Sequence, residues 1–320
     1  MLETIPKALA TFDWTPHSFD PHDECLGARV STKPADSLSA DAILIGLPFD
    51  GAVLGRKGCA RGPHALRTAA KNLKLGRIEG TPVCAHAYDL GDAYLPEDVA
   101  LAHAGTEGFV RLARRFTPRG KSEARIIALG GDHSLSFPIA KPFLEAYGDK
   151  LAVINLDAHL DVRHVLDGQP PNSGTSFGRL LDAGLKTYIC IGARDFQTSP
   201  AYIERARKAK GTLISAREVH AAGARKIAAR VLAKLPKNCR AIYLSVDLDV
   251  ADASVAPGVS APTPGGLFAH QVFELIRALA SDMRTLVASL HEFAPNLEPH
   301  GDLTARFAAG CFAELLDACP

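Results

Sequence analysis

The sequence predicts an α/β fold built on a mostly parallel sheet with helices on both faces. Two observations carry this expectation. Short apolar runs alternate with stretches of helical spacing along the 320-residue chain. These runs are near-continuously apolar rather than alternating, as strands buried on both faces are. A third observation points to the working end of the sheet. Polar, chemistry-bearing clusters follow directly after three of the runs, where open α/β sheets bind ligands. The crossovers should be right-handed.

Residues 1–40 keep no periodicity for long. Pro6, Pro16, Pro21, Pro34 and the aromatics Phe12, Trp14 and Phe19 are scattered through them. They read as an irregular arm over the main body, at a subunit interface. Residues 41–320 read as one domain, and its first strand is 42–47. The Gly-rich loop 49–63 follows. It lacks the residue order of a phosphate loop, and reads equally as a flexible loop before a helix or as a substrate-site loop. Pro63 suits the first turn of a helix that continues over 64–74. A strand at 83–89 and a helix at 97–116 come next. Strand 125–129 leads into Gly130-Gly131-Asp132-His133-Ser134 and a helix over 135–147. Strand 151–156 leads into Asp157-Ala158-His159-Leu160-Asp161, a polar loop 163–173 and a helix over 177–183. Strand 187–191, helix 201–209 and strand 212–215 follow. A long helix over 216–235 carries Val219, Ile227, Val231 and Leu235 on one stripe. Strand 241–246 ends in Asp247-Leu248-Asp249. A Pro/Gly loop 257–266, helix 268–279, strand 285–293 and helix 303–316 finish the chain, giving about eight strands.

Composition narrows the function classes. The chain is 47% hydrophobic and 22% charged, with a net charge of +1 from 36 basic and 35 acidic residues. That is ordinary globular composition, with no footprint for nucleic acid or a membrane. No stretch approaches the roughly 18 apolar residues of a membrane span, and the first residues lack a basic segment followed by an apolar one. Seven cysteines lack a CxxC pair, and most of them read as small buried hydrophobes in a reducing compartment. A cytoplasmic protein is expected.

The clusters carry the chemistry. Period two throws Asp157, His159 and Asp161 toward one side if strand geometry persists. His133, Asp157, His159, Asp161, Asp247 and Asp249 together offer four carboxylates and two imidazoles. Buried, they need compensating positive charge, and one divalent cation does not balance them where two do. This donor set suits Mn²⁺ most naturally, with Zn²⁺, Co²⁺, Ni²⁺ or Fe²⁺ also admissible. The absence of Cys argues against a structural zinc site. Two such cations would supply an activated water and polarise an electrophile, so the expected reaction is hydrolysis of a C–N or related bond. A single acidic pair after a strand also reads as a helix N-cap; three clusters in one chain favour the metal reading. His64, His86, His103, His220, His270, His291 and His300 read as core or surface histidines.

At these residues the chain resembles the ureohydrolase superfamily: arginases, agmatinases, formimidoylglutamases and related guanidino-acid hydrolases. The likeness spans about 42–310. It rests on Gly58-Cys59-Ala60-Arg61-Gly62-Pro63 with Leu66-Arg67, on the motifs at 130–134, 157–161 and 245–250, and on 257–262, 291–295 and 303–306. It implies a three-layer α/β/α sandwich with an eight-stranded parallel sheet, two Mn²⁺ per subunit and a homo-oligomer, a trimer or hexamer. It further implies that His133 and Asp161 hold one metal, His159 and Asp249 the other, and that Asp157 and Asp247 bridge. Within the family, arginases and agmatinases carry a His-Gly pair where this chain has Ser173-Gly174, so their relay histidine is missing. Ser173-Gly174-Thr175 and Arg163 look like formimidoylglutamases, and a guanidinium suits a dicarboxylate substrate; Arg163 also reads as a surface ion pair. The Gly-Gly-Asp-His-Ser motif is more typical of arginases and agmatinases. Gln197 replaces an Asp that helps arginases hold the α-amino group.

The expected reaction is N-formimidoyl-L-glutamate plus water to L-glutamate and formamide. Asp161 would pass the proton and Glu292 would pair with the amidinium. Arg163, Asn172, Ser173, Gly174, Thr175 and Gln197 would hold the rest of the substrate. The alternative is an agmatinase or guanidino-acid hydrolase releasing urea. A catalytically silent partner subunit should have lost a ligand, and all six are present.

Overall fold

The computed structural model describes residues 11–18, 20, 22–78, 80, 81, 83–116, 124–299 and 301–319. Phe19, Pro21, His300 and the first ten residues of the expected arm lie outside the described residues. Nine strands form one parallel sheet among the described residues: β1 (Val30–Ser31), β2 (Ala42–Gly46), β3 (Ala87–Asp92), β4 (Arg125–Leu129), β5 (Leu151–Leu156), β6 (Thr187–Ala193), β7 (Thr212–Ser215), β8 (Ala241–Asp247) and β9 (Thr285–His291). Their spatial order is β1-β3-β2-β4-β9-β8-β5-β6-β7. The strand beyond the expected eight is β1. It comes from the arm and pairs Val30 and Ser31 with Ala87 and Tyr88. Two residues are too few to show a period.

Among the described residues nine α-helices cover the sheet: α1 (Gly62–Ala70), α2 (Val99–Ala113), α3 (Ser136–Tyr147), α4 (Ser176–Asp182), α5 (Pro200–Lys208), α6 (Ala216–Ala222), α7 (Ala224–Lys234), α8 (Ala269–Ala280) and α9 (Leu303–Asp317). Period-two alternation sorts the strand side chains between two cores. Leu44, Ile127, Ile154 and Leu244 pack with Leu66 of α1, Val219 of α6, Ile227 of α7, Leu275 of α8 and Phe312 of α9. Ile43, Ile126, Val153 and Tyr243 pack with Val110 of α2, Ile139 of α3, Leu180 of α4 and Ala206 of α5. This is the three-layer sandwich, and it explains why the strands are apolar at both parities. No helix among the described residues is long and apolar enough to cross a membrane.

Two local features depart from the sequence expectation. The long helix at 216–235 is two helices, because Gly223 adopts φ +86° and ψ +141°, which ends α6 and turns the chain into α7. The third strand begins at Ala87 rather than 83, and it includes Asp89 and Asp92. Asp89 is tolerated inside because Arg67 of α1, itself 1% exposed, reaches it through Nε at 2.8 Å and Nη2 at 2.9 Å, and reaches Asp92 at 2.5 Å. Trp14 of the arm donates its indole N–H to the same Asp89 carboxylate at 2.8 Å. Removing one partner of a buried pair leaves an uncompensated charge, at a cost of about 3–5 kcal/mol. Asp89→Asn should therefore lower unfolding stability by about 3 kcal/mol in a urea titration; a loss below about 1 kcal/mol, the range of an exposed pair, would contradict this anchoring role.

Candidate metal centre

The register of the sheet lines up four strand ends. β4 and β9 pair Leu129 with Leu290, β9 and β8 pair His291 with Asp247, and β8 and β5 pair Val246 with Leu156. Residues at or just beyond these ends therefore meet. Alternation then fixes their face. Val153 and Tyr243 pack on the α2–α5 side, so Asn155 and Asp157, and likewise Ser245 and Asp247, follow them there.

Strand β5 stops at Leu156, so strand geometry is not what gathers Asp157, His159 and Asp161. A turn does it. Asp161 has φ +46°, and its carbonyl accepts from the N–H groups of Phe177 (3.0 Å) and Gly178 (3.1 Å) at the start of α4. Those bonds hold a backbone conformation that a residue with a Cβ rarely adopts.

The structure brings all six expected ligands together. His133 Nδ1 lies 2.9 Å from Asp161 Oδ2, 3.1 Å from Asp247 Oδ2 and 3.3 Å from Asp157 Oδ2. His159 Nδ1 lies 3.1 Å from Asp249 Oδ2 and 3.4 Å from Asp157 Oδ1. Two sets of donor atoms result, His133/Asp157/Asp247 and Asp157/His159/Asp249, each within 4.8 Å, and Asp157 belongs to both. Capping and facing the histidines fall to different oxygens of the same acid. Asp247 Oδ1 accepts from the N–H of Asp249 at 2.8 Å, and its Oδ2 faces His133. Asp132 is a cap alone, accepting from Ser134 N at 3.0 Å and Ala52 N at 2.9 Å.

The donor set fits a pair of divalent cations. His133 Nε2 sits 2.9 Å from Ser245 Oγ, and its Nδ1 is buried with no hydrogen-bond partner. With the proton on Nε2, Nδ1 presents a lone pair to three carboxylate oxygens, which is repulsive unless a cation lies among them. The carboxylates oppose one another as well. Burial and the neighbouring Asp249 push Asp247 well above the usual carboxylate range, and burial and Asp157 raise Asp161.

A cavity of about 130 Å³ opens onto this cluster, lined also by Leu54, Arg163, Ser173, Gly174, Gln197, Tyr202 and Glu292. Glu292 is buried with φ +66°. Its Oε1 accepts from His133 N at 2.6 Å, and Cys59 Sγ donates to Oε2 at 3.4 Å. Burial, reinforced by Asp132, pushes Glu292 up to about 7. Arg163 is exposed and has no carboxylate partner among the described residues, so it is not the surface ion pair its sequence position also allowed. The Gly-rich loop before α1 belongs to the cleft. Leu54 lines it and donates its N–H to Ser173 Oγ at 3.1 Å.

Asn172 and Thr175 do not line the cleft. Thr175 is fully buried and its hydroxyl bonds to Asn172 O at 2.7 Å, while the Asn172 side chain accepts from Gly174 N at 3.2 Å. Both are occupied in capping the turn that carries Ser173. His291, read as an ordinary core histidine, lies under the cluster with its ring 4.9 Å from that of His133. Ser245 was missed, although its spacing two before Asp247 on a strand was the available signal. Tyr202 carried no sequence signal, because only the tertiary fold places it at the cleft.

The Arginase family model matches residues 40–317. The formimidoylglutamase of Halobacterium salinarum is 39% identical over 306 residues, covering 93% of this chain and 96% of that protein. The proclavaminate amidinohydrolase of Streptomyces clavuligerus is 31% identical, covering 86% of this chain and 87% of its own. Among solved structures, the formimidoylglutamase of Bacillus subtilis superposes with a TM-score of 0.84 at 27% identity, covering 98% of this chain and 96% of that one. The formiminoglutamase of Trypanosoma cruzi, solved with Mn²⁺, gives 0.82 at 26% identity, covering 92% and 98%. A family match across most of the chain, joined to the fold and the ordered His/Asp motifs, shows that the chain belongs to the arginase family.

Proposed function

We propose that this arginase-family hydrolase cleaves the C–N bond of N-formimidoyl-L-glutamate, giving L-glutamate and formamide. The observation that carries the reading is the pairing in one cleft of a buried acid, Glu292, with an unpaired guanidinium, Arg163. The first suits a cationic amidine head and the second a carboxylate tail. The likeness to formimidoylglutamases supports it. His133 and Asp161 would hold one Mn²⁺, His159 and Asp249 the other, with Asp157 and Asp247 shared. Mn²⁺ is supported by the hard oxygen-rich donor set and by the T. cruzi structure.

Bound there, the cation pair supplies an activated water and a Lewis acid. The chain's own groups do the rest. Glu292 pairs with the amidinium and orients its carbon toward the cluster; the cation in turn draws Glu292 back to its charged form. Asp161 accepts a proton and delivers it to the leaving amine. Arg163 takes a tail carboxylate, with Ser173, Gly174 and Gln197 shaping the wall. We further propose one domain over 41–320 and a cytoplasmic trimer or hexamer. Cys25, Cys59, Cys190, Cys239, Cys311 and Cys319 are free thiols, which suits a reducing compartment. A guanidine substrate releasing urea is the second reading, favoured by the likeness to proclavaminate amidinohydrolase.

Assays with Mn²⁺ on formimidoylglutamate, arginine, agmatine, guanidinobutyrate and guanidinopropionate, reading formamide and urea separately, test the substrate. Formamide from the first should dominate; faster urea release from any guanidine would overturn it. Asp247→Ala should remove bound metal and lower activity more than about a hundredfold, the upper range for losing a mere outer-shell partner. Metal content and rate are measured on the same folded sample; retained activity without metal would refute the centre. Arg163→Met should raise KM for formimidoylglutamate about 10- to 100-fold, the worth of a charge-assisted bond. An unchanged KM would remove Arg163 from substrate binding.

A further inference from the structure

We propose that Tyr202 and Gly174 are positioning residues that hold the Arg163 guanidinium ready for an acidic substrate tail. The inference rests on the substrate reading above and adds how the specificity-bearing arginine is kept in place.

An arginine side chain has many rotamers and little reason to stay in one when no acid holds it. Arg163 is exposed and unpaired among the described residues, yet its surroundings define one course for it. Its stem lies along Gly174: a Cβ there would stand 2.8 Å from Arg163 Cδ and 3.0 Å from Nε, and 3.2 Å from Leu54 Cδ1. The backbone N–H of Arg163 donates to Gly174 O at 2.9 Å, which keeps the two segments together. The guanidinium carbon lies 5.6 Å from the centroid of the Tyr202 ring, in cation–π range.

Tyr202 is itself fixed relative to Arg163. It sits in the first turn of α5, and Arg205 lies three residues on, on the same side of the helix. Arg205 donates to the carbonyl of Val162 at 2.6 Å, to that of Gly178 at 3.3 Å and to both oxygens of Asp182 at 2.7 Å. Val162 immediately precedes Arg163, so α5 is tied to the backbone that launches the arginine. An aromatic face attracts the cation without neutralising it or occupying its N–H donors. The fork stays free for a carboxylate, and its ordering is complete before substrate arrives.

The test compares Tyr202→Leu, Tyr202→Phe, Arg163→Met and the double variant. Tyr202→Leu should raise KM for formimidoylglutamate about fivefold with kcat within about twofold. Tyr202→Phe should restore the KM, because the ring face acts and the hydroxyl does not. Formamidine, which has no tail, should show less than a twofold difference between wild type and Tyr202→Leu. With Arg163 already replaced, Tyr202→Leu should have no further effect. Additive effects, a Phe variant as impaired as Leu, or an equal loss on formamidine would each overturn the proposal. The double-variant comparison is made on whichever substrate the panel selects. Failure of the substrate assignment is therefore seen in the panel, and failure of the positioning role in the additivity.

Discussion

Four carboxylates beside one another at or just past the ends of neighbouring strands, three buried and Asp161 half-buried, are the constraint on which the rest of this structure depends. Like charges a few ångströms apart in a poorly screened interior repel strongly; burial first, and then the neighbouring carboxylates, raise Asp247 and Asp161. The local structure relieves part of this. Asp157 accepts from Asn155 Nδ2 at 2.8 Å and from His159 N at 2.6 Å, Asp247 from Asp249 N at 2.8 Å, and Asp249 from Ala158 N at 3.3 Å. Asp247 and Asp249 each spend one oxygen on a backbone donor and keep Oδ2 for the histidines, while Asp157 accepts on both oxygens. The residue of uncompensated charge, and the bare Nδ1 of His133, are what a cation pair satisfies.

The sheet exists, for function, to make that crowding possible. β4, β9, β8 and β5 are interior strands buried on both faces, and their register sets their ends side by side. Packing on both sides holds Asp157 and Asp247 close in a way a flexible loop could not. The polar network continues beneath them. Ser136 Oγ meets Ser245 Oγ at 3.1 Å, His291 Nε2 at 3.2 Å and the Tyr243 hydroxyl at 2.9 Å. These contacts fix the imidazole of His133 through Ser245, so the orientation of a ligand is set by residues that touch no substrate.

Much of this was legible in the sequence. The strands at 125–129 and 151–156 have the bounds their apolar runs imply, because burial on both faces is written into such runs. The ligand set was legible because chemistry-bearing residues followed the strands directly. A strand reaching Asp89 was legible, but the buried pairing of Asp89 was not, since Arg67 reaches it from another element. Gly223 inside a good helical stripe gave no sign that it would take a positive φ. Asn172 and Thr175 look the same in sequence whether they face a substrate or cap a turn; only the observed bonds separate the two. Leu54 and Tyr202 join the cleft through tertiary placement, which local spacing does not encode.

The proposed chemistry requires a two-cation centre. Anomalous diffraction at the manganese edge, on crystals of the Mn²⁺-loaded protein, measures it most directly. Two peaks about 3.5–4 Å apart, one against His133 and Asp161 and the other against His159 and Asp249, are the predicted result. A single peak, or none at these side chains, would contradict it.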